Sequence, residues 1–186
     1  MADAIPQNAT ALDVISFWRE AGPQKWFTRD DGFDREIRTR FLDTYQAARD
    51  GQLSSWRHSA EGALALLILL DQFPRNMFRG SADAFATDKL AREIAAEAVA
   101  AGFDQMLPAD IRAFLYLPFM HSENLADQER CLGLYRALGN EEGLRYAEIH
   151  ADIIRRFGRF PHRNAALGRI TTPDEQAFLD SGGFSG

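Results

Sequence analysis

Residues 134–146 read Leu134-Tyr135-Arg136-Ala137-Leu138-Gly139-Asn140-Glu141-Glu142-Gly143-Leu144-Arg145-Tyr146. The stretch joins the end of one helical pattern to the start of another. Gly139-Asn140 turns the chain, and the Asn140 side chain is of the kind that caps a helix N-terminus. Upstream the pattern runs from about Leu125 to Leu138. Downstream it runs from about Glu141 to Phe157 and closes at Gly158. Tyr146, Ile149, Ile153, Ile154 and Phe157 form its apolar face. His150 lies three, four and seven residues before the last three of these, so it points the same way. A connection this short makes the two helices antiparallel neighbours.

The same texture extends in both directions, and strand patterns are nearly absent. Leu12, Ile15, Phe17 and Trp18 predict a short first helix stopped by Gly22-Pro23. Phe33, Ile37, Phe41 and Tyr45 recur every four residues and predict a second, with Asp31 and Asp34 at its positive end. A third is expected from about Ala60 to Gln72, capped by Ser59 and ended by Pro74, which lacks an amide hydrogen. A fourth should span about Ala84 to Ala101, with Leu90, Ile94, Ala98 and Ala101 on one face. A fifth should begin at Pro108 and break at Pro118. Pro161 starts a short turn. Thr172-Pro173-Asp174-Glu175 is a capping box opening a last helix through Leu179. The expected fold is all-α: a stack of antiparallel helical hairpins, about eight or nine helices in a single domain over residues 1–186. The ends, 1–10 and the glycine-rich 181–186, are expected to be flexible.

Composition narrows the function classes. A formal net charge of -6 argues against a general nucleic-acid binder, which carries a basic face. The single cysteine, Cys131, allows no intrachain disulfide and suits a reducing compartment, so a cytoplasmic location is expected. Met1 to Ala11 lacks the basic flank and apolar core of a targeting segment. The most apolar run, Ala63 to Leu70, is far short of the roughly 20 residues that cross a membrane. Neither nucleic acid nor membrane is an expected partner.

Three motifs stand out in order: Leu70-Asp71-Gln72-Phe73-Pro74-Arg75-Asn76, then Leu115-Tyr116-Leu117-Pro118-Phe119-Met120-His121-Ser122-Glu123, then Phe157-Gly158-Arg159-Phe160-Pro161-His162-Arg163-Asn164, with Leu167-Gly168-Arg169 and Thr172-Pro173-Glu175 behind it. Together they resemble the bacterial family called domain of unknown function 924, over about Leu12 to Leu179. The resemblance implies an all-helical, tetratricopeptide-like fold and no particular activity. At the level of residues, the Leu134–Tyr146 hairpin resembles a tetratricopeptide unit, and no clean 34-residue repeat surrounds it.

The motifs also define candidate site residues. Phe-Pro followed by Arg-Asn occurs twice, the second time with His162 inserted. Arg75, Arg159, Arg163 and Arg169 offer planar forks that fit a carboxylate or phosphate. Asn76 and Asn164 add amide hydrogen bonds, and Asp71 and His150 stand beside them. His121, His162 and Glu123 are candidates for acid-base chemistry. The histidine spacing matches no zinc signature, so neither metal nor cofactor is expected. Ser122 lacks the glycine elbow of a hydrolase nucleophile. Cys131, Trp18, Trp26 and Trp56 read as core.

Three functions stay open on these residues. One is a binding protein taking a small anion or the acidic end of a peptide in a pocket built from the two Phe-Pro turns. Another is an enzyme, a hydrolase or transferase, using His162 or His121 with Glu123 in the same pocket. The last is a scaffold whose arginines pair with Asp71, Glu123 or Asp152 and lock helices together. The oligomeric state is not legible.

Overall fold

The computed structural model describes residues 8–184. The expected flexible ends therefore lie partly outside the described residues, at 1–7 and 185–186. The described chain is helical throughout, with no strand among its residues. It divides into two compact units: the chain through Arg79 together with Asp83–Leu115, and Gly80–Ala82 together with the chain from Tyr116 onward.

The first unit opens with α1 (Ala11–Ala21), α2 (Pro23–Trp26) and α3 (Asp31–Arg49). Thr10 and Asp13 form a capping box on α1, and Asp30 caps α3 through two backbone amides. Phe33, Ile37, Phe41 and Tyr45 are buried along α3, as their spacing predicts. They meet an aromatic core in which Trp18 and Phe73 are fully enclosed and Trp26 packs edge-on against Phe114.

The third predicted helix departs from expectation at Pro74. α4 (Ala60–Leu67) does not end there; it passes through a π-helical segment, Ile68–Gln72, into α5 (Phe73–Met77). Proline has no amide to offer the Leu70 carbonyl four residues back. The wider π turn lets the Phe73 amide bond Ile68 instead, and the orphaned Leu70 carbonyl accepts the Thr87 hydroxyl at 2.5 Å. Helical direction thus survives a residue that was expected to end it.

The rest of the first unit is more broken than predicted. A 3₁₀ turn at Ala82–Phe85 precedes α6 (Asp88–Ala100), so the fourth helix is shorter than Ala84–Ala101. Its buried residues are Ala91, Ile94, Ala95 and Ala98, while Leu90 is half-buried and Ala101 exposed. α7 (Phe103–Met106) and α8 (Ala109–Arg112) follow, then a 3₁₀ turn at Ala113–Leu115. Pro108 sits at the N-cap of α8, one residue before the helix it was expected to start.

The second unit contains α9 (Leu117–Met120), α10 (Leu125–Leu138), α11 (Glu141–Phe157), a 3₁₀ turn at Pro161–Arg163 and α12 (Pro173–Asp180). α10 and α11 form the predicted hairpin. Gly139 takes the left-handed conformation at φ 70°, and Asn140 caps α11 through the Gly143 amide. The inward face of α11 is rotated from the predicted one. Ala147, His150, Ala151, Ile153 and Ile154 are buried, whereas Tyr146 and Ile149 are exposed. Short alanines let α11 approach its neighbours closely, and that selects the facing side. No helix among the described residues is long and apolar enough to cross a membrane.

Candidate functional site

The first Phe-Pro motif is closed within its own unit. Arg75 grips Asp88 with two bonds of 2.9 and 3.0 Å and also bonds the Asp71 carbonyl at 2.6 Å. The Asp71 carboxylate, only 2% exposed, lies 3.4 Å from the same guanidinium. Asn76 donates to Asp34 at 2.7 Å and accepts from Gln72 at 3.1 Å. Arg79 completes the set on Asp34. These bonds tie α5 to α3 and α6.

The second motif is built on the end of α11. Gly158, at φ 69°, caps the helix by bonding the Ile154 carbonyl, and the chain turns away. Phe160 is then fully buried beside Ile153 and Ile154. Its amide donates to Glu123 at 2.9 Å. Pro161 opens the 3₁₀ turn, in which the Asn164 amide bonds the Pro161 carbonyl. Two arginines here are held by carboxylates. Arg169 is bidentate to Glu123, both bonds 2.8 Å. Arg159 is bidentate to Glu175 at 2.6 and 2.8 Å and also bonds the Ile170 carbonyl.

The electrostatics of these carboxylates follow from their partners. Burial pushes Glu123 up, but the bonds from Arg169 and the Phe160 amide outweigh it and hold the group below the usual range. Glu123 is therefore a clamp, ionised at neutral pH with its oxygens engaged. Glu175 is drawn down to about 2, chiefly by its Arg159 bonds and then by the Thr172 amide. It serves the predicted capping box, accepts from Asn164 at 3.2 Å, and is 2% exposed.

Three of the four histidines meet in this unit, each from a different element. His121 caps α9, His150 stands on α11, and His162 lies in the 3₁₀ turn. The ring centroids of His121 and His150 are 6.3 Å apart. His150 lies 5.5 Å from Phe160, and Phe160 lies 5.6 Å from His162. The Arg163 guanidinium covers the Phe160 ring at 4.5 Å and donates to the His121 carbonyl at 2.9 Å. Asn164 is 1% exposed, and its Oδ1 has no hydrogen-bond partner among the described residues.

His150 is the deepest of the three, 5% exposed. Its Nδ1 lies 2.8 Å from the Tyr146 carbonyl, which can only accept, so Nδ1 carries the proton. In the neutral ring, Nε2 then presents a lone pair. Burial pulls the imidazole down to about 3, helped by His121 and then by His162 and Arg163. The charges that act on it are all of one sign.

Other candidates are structural. Ser122 is buried; its hydroxyl donates to Asp127 at 2.7 Å and accepts the Asn124 amide. Cys131 is fully buried, with its thiol pushed up to about 12 by burial. Trp18 and Trp26 are core, and Trp56 is half-buried. No group of three or more His, Cys, Asp or Glu side chains is arranged to hold a metal ion among the described residues.

Two participants escaped the sequence reading. Glu175 was visible only as a cap, since its partners Arg159 and Asn164 are remote in sequence. Phe184 falls in the tail expected to fray. Its ring lies 4.5 Å from His150 and 5.4 Å from His162. The Gly182-Gly183 pair just past a helix was the available signal.

An all-helical chain carrying these three motifs belongs to a family described as bacterial protein of unknown function (DUF924), whose pattern matches residues 14–183. It is similar to a solved structure, a protein of unknown function, ATU0120, from Agrobacterium tumefaciens, at 50% identity and a TM-score of 0.89. That match covers 92% of this chain and 97% of the other. No curated protein matches the chain.

Proposed function

We propose that the protein binds a small ligand carrying an acidic group, held in the second unit by His121, His150, His162 and Arg163. The observation that carries this reading is the gathering of His150 and His162 at Phe160, with His121 beside His150 and Arg163 laid over the Phe160 ring. Imidazole and guanidinium N–H groups gathered at one ring are donors of the kind that a carboxylate or phosphate accepts from. Arg159 and Asn164 are bonded to Glu175 and Arg169 to Glu123, so they hold the turn in place rather than contact the ligand. Asp71, Arg75 and Asn76 drop out of the ligand set, because their hydrogen bonds join helices of the first unit.

An enzyme using Glu123 as acid or base is a weaker reading, since Arg169 and the Phe160 amide keep that carboxylate ionised. The α10–α11 hairpin, with its Gly139-Asn140 turn, supports a tetratricopeptide-like reading of this unit. The lone buried Cys131 suits a cytoplasmic protein.

The test is calorimetric titration with inorganic phosphate and with short carboxylic acids, at pH 7.5 and 5.5. A bound anion favours the protonated form of any imidazole it meets, so affinity should rise as the pH falls. His162→Ala and Arg163→Ala should abolish the heat, while Arg75→Ala leaves it unchanged. Equal affinities in wild type and His162→Ala would remove the site.

A further inference from the structure

One side of α12 faces the end of α11 across an open cleft in the second unit. Asp174, Ala177, Phe178 and Ser181 follow one another at steps of three, one and three residues, so they share a helix face. With Arg156 and Phe157 they line a cleft of about 510 Å³, within the roughly 300–1,000 Å³ usual for ligand sites. None of these six residues belongs to the histidine cluster.

The floor of the cleft is aromatic and anchored. The Phe157 and Phe178 ring centroids are 5.2 Å apart, and both rings pack against Ile153, Ile154 and Phe160. The Arg156 guanidinium lies over both, 4.9 Å from the Phe157 centroid and 5.2 Å from that of Phe178. A guanidinium held over rings keeps its N–H groups in its own plane, where an anion can meet them. Its carboxylate neighbour, Asp152, stands 3.8 Å away, with the two side chains 51% and 61% exposed. Water screens so long and open a pair, and a ligand carboxylate can displace it. The α12 wall offers the opposite chemistry. The exposed Asp174 carboxylate accepts hydrogen bonds. The Ser181 hydroxyl gives its hydrogen to the Phe178 carbonyl at 2.8 Å, which leaves its oxygen to accept.

We propose that this cleft binds the carboxyl-terminal end of a peptide whose last residue is apolar. The terminal carboxylate meets Arg156. The last side chain lies on Phe157, Ala177 and Phe178, and backbone N–H groups of the peptide donate to Asp174 and Ser181. The two walls together select this class. A simple aromatic or fatty acid satisfies Arg156 but brings no N–H group to Asp174. A phosphate ester sets more negative charge beside that same carboxylate. A peptide end carries the carboxylate, the apolar body and the donors in one piece.

The experiment follows the backbone amide NMR signals of the full chain as the tripeptide Ala-Ala-Phe is added. The Ala177 and Ser181 signals should shift and saturate. The carboxamide form of the peptide should bind about tenfold or more weakly, the usual worth of a hydrogen bond to a charged group. Arg156→Gln should weaken the acid form by a similar factor. Ala177→Trp, which fills the cleft from an exposed position, should abolish binding. Equal affinities of the acid and carboxamide forms would overturn the carboxylate seat. If 3-phenylpropionate moved the same signals with the affinity of the peptide, the peptide reading would fall. Binding that shifts the His150 and His162 signals and survives Ala177→Trp would place the peptide at the histidines and overturn the cleft. No shift at any signal up to millimolar peptide would overturn it as well.

Discussion

The two Phe-Pro motifs use nearly the same residues to opposite ends. In Phe73-Pro74-Arg75-Asn76 the proline is absorbed inside a continuing helix. A π turn ahead of it and the Thr87 hydroxyl beside it satisfy the backbone. The arginine and asparagine then reach the carboxylates of α6 and α3. In Phe160-Pro161-His162-Arg163-Asn164 the proline opens a new turn after a glycine-capped helix end. The inserted histidine joins two others, and the arginine lies on a ring rather than along a helix. The difference lies in what surrounds the proline. A carbonyl that finds a substitute donor keeps the chain helical; a left-handed glycine ahead of the motif lets it leave.

This comparison breaks first at Arg75. Arg75→Ala leaves the almost fully buried Asp71 carboxylate without its guanidinium and should cost about 3 kcal/mol or more in urea denaturation. Ligand heats should be untouched. If Arg75→Ala is instead neutral for stability and lowers affinity, the motifs have exchanged roles.

A second effect is read against pH. The folded-state pKa of His150 is depressed from 6.5 to about 3. Between those values the unfolded chain binds a proton that the folded chain refuses. Stability is therefore full above 6.5 and falls as the pH drops, by at most about 1.4 kcal/mol per pH unit. His150→Leu should flatten the denaturation free energy between pH 6.5 and 4.5. Below the ordinary carboxylate range, Glu175 adds its own loss, because its folded pKa is also depressed and its stabilisation disappears as the pH falls toward 2. Comparison of the two windows separates them.

Smaller effects sharpen the picture. Thr87→Val strips the Leu70 carbonyl of its donor and should cost about 1–2 kcal/mol, with lost amide protection around Ile68–Gln72. A protection pattern unchanged by the substitution would mean that the π segment does not depend on that bond. Gly182→Ala should cost only about 1 kcal/mol, through its positive φ.

Much of this was legible from particular residues. Asn140, Ser59 and the Thr172–Glu175 box each cap the helix their position predicts, because a cap is a contact over three residues or fewer. The scaffold pairs Asp71–Arg75 and Glu123–Arg169 were among the expected partners. The course of the chain at Pro74 was not legible, since Thr87 is 17 positions away from the carbonyl it satisfies. The inward face of α11 was misjudged at Tyr146 and Ile149 for a similar reason. Hydropathy marks what is apolar, but the neighbouring surface chooses which apolar side is covered.

The sequence by itself determined the helical class, the α10–α11 hairpin, the caps and the inward place of His150. All of these follow from periodicity and short-range hydrogen bonding. Tertiary structure alone decided that Arg75 and Asn76 tie helices together within the first unit. It also decided that His121, His150 and His162 come together, and that Phe184 rests on two of them. Those meetings join residues up to 42 positions apart, as Asp34 and Asn76 are, and no local pattern records them. Burial and packing bring such groups together, and their charges become informative only once their neighbours are known.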